Sequence, residues 1–283
     1  MDITIENEFL KAVVHSKGAE LASLVCGSKN LIWDIDPAFW NKTSPVLFPI
    51  VGALKDGSYT SGAATYHLPR HGFARDMEFE VKHQTENSVT FLLHSSKETL
   101  SKYPFDFEFR ITYTLENKKL LVKYEVTNLS ENIMYYSLGA HPAFSLKGKI
   151  EDYSLKFDHD TPLVSWQLEN DVFSGKTAEI PLVGHILPLN YQLFENDAIV
   201  LKDDTTTLLT VLYQNQPQFR VDFSDFPYLG IWTKKEAPFL CIEPWQGIAD
   251  VHNTSGKIEE KEGIRALDPK HSEEFEWTVE VLA

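Results

Sequence analysis

From Phe105 onward, apolar side chains fall at Phe105, Phe107, Phe109, Ile111, Tyr113 and Leu115, with Asp106, Glu108, Arg110, Thr112 and Thr114 between them. Successive side chains of a strand point to opposite faces, so this period gives one face for a core and one for water; a helix of the same sequence would bury neither. After Glu116-Asn117-Lys118-Lys119 the alternation resumes, with Val122, Tyr124 and Val126 against Lys123, Glu125 and Thr127, which predicts an antiparallel hairpin. The same period recurs in Met77-Phe79-Val81, Val89-Phe91-Leu93, Phe219-Val221-Phe223 and Phe275-Trp277-Val279-Val281. Helix signals are few. Asp36-Pro37 can cap a short turn through Phe39-Trp40, and Ser95 with Glu98 has the spacing of a capping box for a brief helix ending before Pro104. The absence of a strand-helix-strand rhythm and of a glycine-rich phosphate loop excludes doubly wound nucleotide-binding folds. The expectation is an all-β chain: one large antiparallel β-sandwich domain over residues 1–283, with a few short helices in its connections.

Of the 283 residues, 43% are hydrophobic and 12% aromatic, ample for such a core, while a formal net charge of -15 argues against nucleic acid as a partner. No apolar run has the length of a signal peptide or a membrane span, so a cytoplasmic protein without a membrane partner is expected. Cys26 and Cys241, the only two cysteines, are far apart and lack metal-ligand spacing, which predicts reduced thiols. The charged run Ile258-Glu259-Glu260-Lys261-Glu262-Gly263 reads as an exposed loop.

Three stretches stand apart from this strand pattern. Tyr136-Ser137-Leu138-Gly139-Ala140-His141-Pro142-Ala143-Phe144 holds an imidazole among small residues and a proline, Arg70-His71-Gly72-Phe73-Ala74-Arg75 sets cations and an imidazole beside glycine, and Cys241-Ile242-Glu243-Pro244-Trp245-Gln246-Gly247 sets a carboxylate beside an aromatic. Imidazole titrates nearest neutrality, glycine lets backbone approach a ligand closely, and an indole offers a flat apolar face for a sugar. Two histidines, a glutamate and an arginine converging on one pocket would supply a general acid, a general base and a polar clamp without a metal.

Taken in order, His71-Gly72-Phe73-Ala74-Arg75, Leu138-Gly139-Ala140-His141-Pro142-Ala143-Phe144 and Ile242-Glu243-Pro244-Trp245 resemble the aldose 1-epimerase (galactose-mutarotase-like) family. Pro45-Val46-Leu47-Phe48-Pro49-Ile50-Val51-Gly52 and Phe226-Pro227-Tyr228-Leu229-Gly230-Ile231-Trp232 look like two further segments of its bacterial branch, near the hexose-6-phosphate mutarotases. The resemblance implies a β-supersandwich and an isomerase that interconverts sugar anomers without a cofactor. It makes Glu243 the base at the anomeric hydroxyl, His141 the acid at the ring oxygen and His71 a hydrogen-bonding partner of the anomeric region. Arg75 and Asp225 would bind the sugar, with Asp222 the alternative to Asp225, and Trp232 and Trp245 would offer platforms. The implied partner is a small-molecule sugar, taken by a monomer or homodimer.

One departure bears on the substrate. An arginine expected at Ala53 is missing, and Lys55 is the nearby cation that could stand in for it, although an ammonium lacks the fork geometry of a guanidinium. Comparable use of free and phosphorylated aldohexoses is therefore expected. Competing readings are a metal site at Asp158-His159-Asp160 or at Asp250 with His252, a glycoside hydrolase using Glu243 and Asp225, and a non-catalytic sugar-binding protein using Trp40, Trp232 and Trp245.

Overall fold

The long alternation forms the hairpin it predicts. In the computed structural model, which describes residues 1–202 and 204–283, Phe107–Glu116 pairs antiparallel with Lys119–Asn128, and buried and half-buried residues alternate along both strands. The two-residue turn turns on Asn117, which takes φ 52, a left-handed conformation that asparagine tolerates. This hairpin lies within a nine-stranded sheet ordered Ile186–Pro188, Tyr153–Lys156, Leu208–Tyr213, Gln216–Asp222, Ser272–Val281, Lys119–Asn128, Phe107–Glu116, Ser88–His94 and Glu80–Gln84. The terminal alternation Phe275-Trp277-Val279-Val281 is the buried face of the central Ser272–Val281 strand.

A six-stranded sheet faces it. Ile199–Leu201, Tyr228–Trp232, Phe239–Trp245, Gly139–Ala140 and Val46–Leu47 follow one another, and Ala143–Ser145 also pairs with Phe239–Trp245. One apolar cluster joins the two sheets, with Phe48 stacked on Phe109 at 4.6 Å and Phe144 against Phe219 at 4.6 Å. The N-terminal strands Asp2–Glu6, Leu10–His15, Glu20–Cys26 and Lys29–Asn30 form a further sheet whose apolar side chains join the same cluster. The architecture is all-β and antiparallel, with short helical turns in the connections.

Local details depart from the sequence pattern. The one α-helix among the described residues, Lys97–Leu100, is capped by Ser96 rather than Ser95, and Thr99 rather than Glu98 closes the capping box. The Thr99 hydroxyl, accepting from the Ser96 amide, does the work expected of the glutamate. Met77 and Phe79 precede the edge strand Glu80–Gln84 instead of forming it, because the Phe79 amide turns away to donate to the Ser16 carbonyl. The charged run at 258–263 is not simply exposed. Ile258 enters the main core, and Lys261 is buried against Asp250 at 3.4 Å.

Candidate active site

The register of the six-stranded sheet assembles the site. Gly139 pairs with Trp245 and Ala143 with Cys241, which sets His141 opposite Glu243 on the neighbouring strand. On the other side Gly230 pairs with Glu243 and Trp232 with Cys241. Alternation along the strand therefore puts His141, Cys241, Glu243 and Trp245 on one face, while Leu240 and Ile242 enter the main core from the other. All seven residues of Phe239–Trp245 are buried, so both faces of this strand are covered.

Two glycines make room for the indole. A Cβ on Gly139 would meet Trp245 at 2.6 Å and one on Gly230 would meet it at 2.5 Å, so the ring lies flat across both neighbouring strands. A cavity of about 490 Å³ opens above this face, lined by His141, Glu243, Trp232, Trp245 and Trp40 among others. Trp40 stacks on the His141 ring at 4.9 Å, and Trp232 meets it edge-on at 6.0 Å. The Asp36 turn that delivers Trp40 forms as the sequence predicts, with the Phe39 and Trp40 amides donating to the Asp36 carbonyl.

His71 enters from a separate loop. It has φ 68, its amide donates to the Gly52 carbonyl, and its Nδ1 accepts the Gly52 amide at 3.1 Å. Gly72 follows at φ 72, where a Cβ would lie 2.2 Å from the Phe48 carbonyl oxygen, so only glycine fits behind this histidine. Arg70 Nε lies 3.2 Å from the other ring nitrogen, Nε2, and donates toward it, so the protein reaches both ring nitrogens of His71. Arg75 also lines the cavity and braces the loop by donating to the Arg70 carbonyl at 2.8 Å.

Electrostatically the site favours neutral forms. Glu243 is 2% exposed and His141 9%. Burial pushes the Glu243 carboxyl well above the ordinary glutamate range, with the Arg70 guanidinium pulling the other way. Burial likewise lowers His141 to about 3, and the positive charge of Arg70 adds to that. His71 is also held well below the usual histidine range by burial and by its cationic neighbours. Glu243 Oε2 lies 3.3 Å from His141 Nε2, and the contact joins a neutral imidazole to a carboxylic acid rather than two full charges. His141 Nδ1, Glu243 Oε2 and Trp245 Nε1 are buried without a hydrogen-bond partner. Buried polar atoms are seldom left unsatisfied except where a ligand completes them.

Of the residues predicted from sequence, Glu243, His141, His71, Arg75, Trp232 and Trp245 meet at this cavity. Two do not. Asp225 turns away, its carboxylate accepting the Glu276 amide at 2.8 Å and its carbonyl taking Gln246 Nε2, and Asp222 serves only the Ser224 amide of the adjoining turn. Lys55 donates to the His252 carbonyl at 2.8 Å and borders a different hollow with Asp56 and Glu169. Neither sequence-derived metal reading is supported by its surroundings. Asp250 is taken up by Lys261 and the Lys55 amide, and His159 bonds to Asp204 and Thr206.

The sequence missed the opposite wall. The hairpin Leu163–Glu169 and Val172–Ile180 contributes Leu168 and Phe173, and its tip residue Asp171 pairs with Arg70 at 2.8 Å. Asp197, at φ 86, lines the cavity beside Ala198, whose amide it accepts. None of these lies in a motif, and no local signal marks them.

Similarity to known proteins agrees with this arrangement. The aldose 1-epimerase family matches over residues 1–264. The chromosomal LacX protein of Lactococcus lactis subsp. lactis is 32% identical over 310 aligned positions that span 100% of both chains. A galactose mutarotase-like protein from Lactobacillus casei superposes with TM-score 0.94 at 34% identity, over 100% of each chain. A galactose mutarotase related enzyme from Lactobacillus acidophilus gives 0.93 at 33% identity, over 100% of this chain and 98% of that one. With the two-sheet architecture and the site motifs in register, these matches carry one conclusion: the chain belongs to the aldose 1-epimerase family.

Proposed function

We propose that this protein is an aldose 1-epimerase that interconverts the α and β anomers of an aldohexose. The observation that carries the reading is the Glu243–His141 pair, 3.3 Å apart at the floor of a tryptophan-lined cavity. Opening a cyclic hemiacetal requires a proton removed from the anomeric hydroxyl and one delivered to the ring oxygen. Glu243 as carboxylate takes the first and His141 as imidazolium gives the second, while the bond from C1 to the ring oxygen breaks and the C1 carbonyl forms. Rotation about C1–C2 exposes the other carbonyl face, and both transfers reverse on closure.

The electrostatics suit this cycle. The working pair carries one proton in total, on the imidazole with the closed ring and on the carboxyl with the open chain. The second arrangement is also the one that burial favours in the empty site. No proton need be exchanged with solvent between the two half-reactions. Arg70 and His71 line the cavity and would offer polar contacts to a sugar oxygen, and Trp40, Trp232 and Trp245 would face the apolar edge of the ring.

Polarimetry of a freshly dissolved α-anomer tests the reading. Added protein is expected to speed approach to the equilibrium rotation, with no cofactor and no loss of rate in chelator. The pH profile of kcat/KM is expected to be bell-shaped, since activity needs the pair to hold one proton, neither none nor two. Because burial lowers His141 and raises Glu243, the acid limb is expected below the ordinary histidine range and the alkaline limb above the ordinary glutamate range. A flat profile, or release of free sugar from a glycoside, would remove the mechanism.

The substrate's far end gives a second prediction. Arg70 has its charge matched by Asp171, Arg75 is occupied with the Arg70 carbonyl, and Lys55 lies outside the cavity. Among the described residues no unmatched cation pair lines the cavity for a phosphate, so glucose and galactose are expected to give kcat/KM at least comparable to their 6-phosphates. Ala53→Arg should shift the preference toward the phosphates by about one to two decades. A wild-type preference of a hundredfold or more for a phosphate would overturn this.

A further inference from the structure

Cys241 has no part in the chemistry proposed above, yet the register puts it on the same face as Glu243 and across from Ala143, next to His141. One ligand atom from each of His141, Cys241 and Glu243 lies within 4.8 Å of the other two. We propose that these three side chains form a binding site for a thiophilic divalent cation, Zn²⁺ or Cd²⁺, and that the ion blocks turnover in competition with the sugar. Binding rests on the three side chains alone; its effect on turnover rests on the mutarotase reading.

The geometry supports it in three ways. Three points no more than 4.8 Å apart share a position at most about 2.8 Å from each, so movements of about 0.5 Å for the sulfur and about 0.7–0.8 Å for the nitrogen reach Zn–S and Zn–N bond lengths. Glu243 Oε2 and His141 Nδ1 are buried without hydrogen-bond partners, so the site holds polar atoms that await one. Coordination displaces the protons of the Cys241 thiol and the Glu243 carboxyl to solvent, and the resulting thiolate and carboxylate cancel the charge of a divalent ion while the neutral imidazole completes a set of one S, one N and one O donor. The ion would displace the 3.3 Å contact between His141 and Glu243 and hold both groups unavailable for proton transfer. His141 and Glu243 line the cavity, which gives the ion its way in, while Cys241 is fully buried. Hard cations such as Mg²⁺ do not suit a sulfur donor.

With only two cysteines in the chain, the test can be made specific. Titrating the full-length protein with Cd²⁺ reports a cadmium-thiolate ultraviolet band independently of activity. The band is expected in wild type and in Cys26→Ser, to be absent in Cys241→Ser and Cys241→Ala, and to require more Cd²⁺ when free glucose is saturating. Zn²⁺ is expected to inhibit mutarotation reversibly by chelator, Mg²⁺ to have no effect, and Cys241→Ala to need at least about tenfold more Zn²⁺ for half-inhibition while keeping its basal rate. If a Cys241 variant does not fold, the pairing of Cys26→Ser with glucose competition still decides the site. A band lost with Cys26→Ser, no band at all, or equal inhibition of wild type and Cys241→Ala would overturn the proposal. If the protein has no mutarotase activity, the cadmium band still decides binding on its own.

Discussion

Glu243→Gln is expected to lower kcat/KM for mutarotation by about 10²–10⁴ while raising the melting temperature. The amide has nearly the same shape but cannot accept the anomeric proton, so the first transfer is lost. Stability moves the other way because the wild-type carboxyl is buried and its pKa is raised above the unfolded value. Such a group favours the fold below the unfolded pKa, and that contribution is lost as pH rises through the folded pKa. Glutamine carries no such penalty. The gain of the variant over wild type should therefore widen as pH rises from the unfolded carboxyl's range toward the raised folded one, read as a growing difference in melting temperature. His141→Asn is expected to lose a similar share of activity, and the double variant little more, since the pair works as a unit. Paired measurements of kcat/KM and melting temperature across pH check both halves. Wild-type activity in Glu243→Gln would eliminate the acid/base scheme, and a melting temperature that falls with a pH-independent difference would show that the carboxyl is not held protonated.

What the sequence revealed, and what it hid, follows from how local each signal is. Period-two alternation is written into neighbouring residues, so Phe107–Glu116, Lys119–Asn128 and Ser272–Val281 were legible before any tertiary contact. The cap of Lys97–Leu100 was displaced by one residue because Ser95 and Ser96 are adjacent and both can cap, and only the backbone turn selects between them. Glu243, His141 and His71 were legible because each sits among glycine, proline and aromatics whose steric roles leave a mark, as Gly72 does beneath the Phe48 carbonyl. Asp171, Phe173 and Asp197 were not. They belong to a hairpin and a turn of ordinary composition, and only the fold brings them over the cavity. Lys55 and Asp225 fail for the converse reason. Each is close in sequence to a motif, but the Lys55 amide is anchored on Asp250 and the Asp225 carboxylate on the Glu276 amide, and both side chains leave in other directions.

Gly230→Ala should damage the site through the indole it supports. Gly230 pairs with Glu243, and its missing side chain is the space that the Trp245 six-membered ring occupies. A new Cβ would lie 2.5 Å from two ring carbons, far inside contact distance, and the other edge of the indole packs over Gly139, where a Cβ would likewise lie only 2.6 Å away. Either the ring tips into the cavity or the Tyr228–Trp232 strand moves away from Phe239–Trp245. The first outcome fills the sugar site; the second disturbs the backbone that carries Glu243. Overpacking of this kind costs about 1–3 kcal/mol, so the melting temperature is expected to fall by several degrees. The activity loss should exceed what partial unfolding explains, by about tenfold or more well below the transition, with KM rising if the ring tips and kcat falling if the strand shifts. A further change, Trp245→Phe in the Gly230→Ala background, removes the colliding ring and should recover stability. If Gly230→Ala alone keeps both its melting temperature and its kcat/KM, the indole is not confined between the two glycine strands.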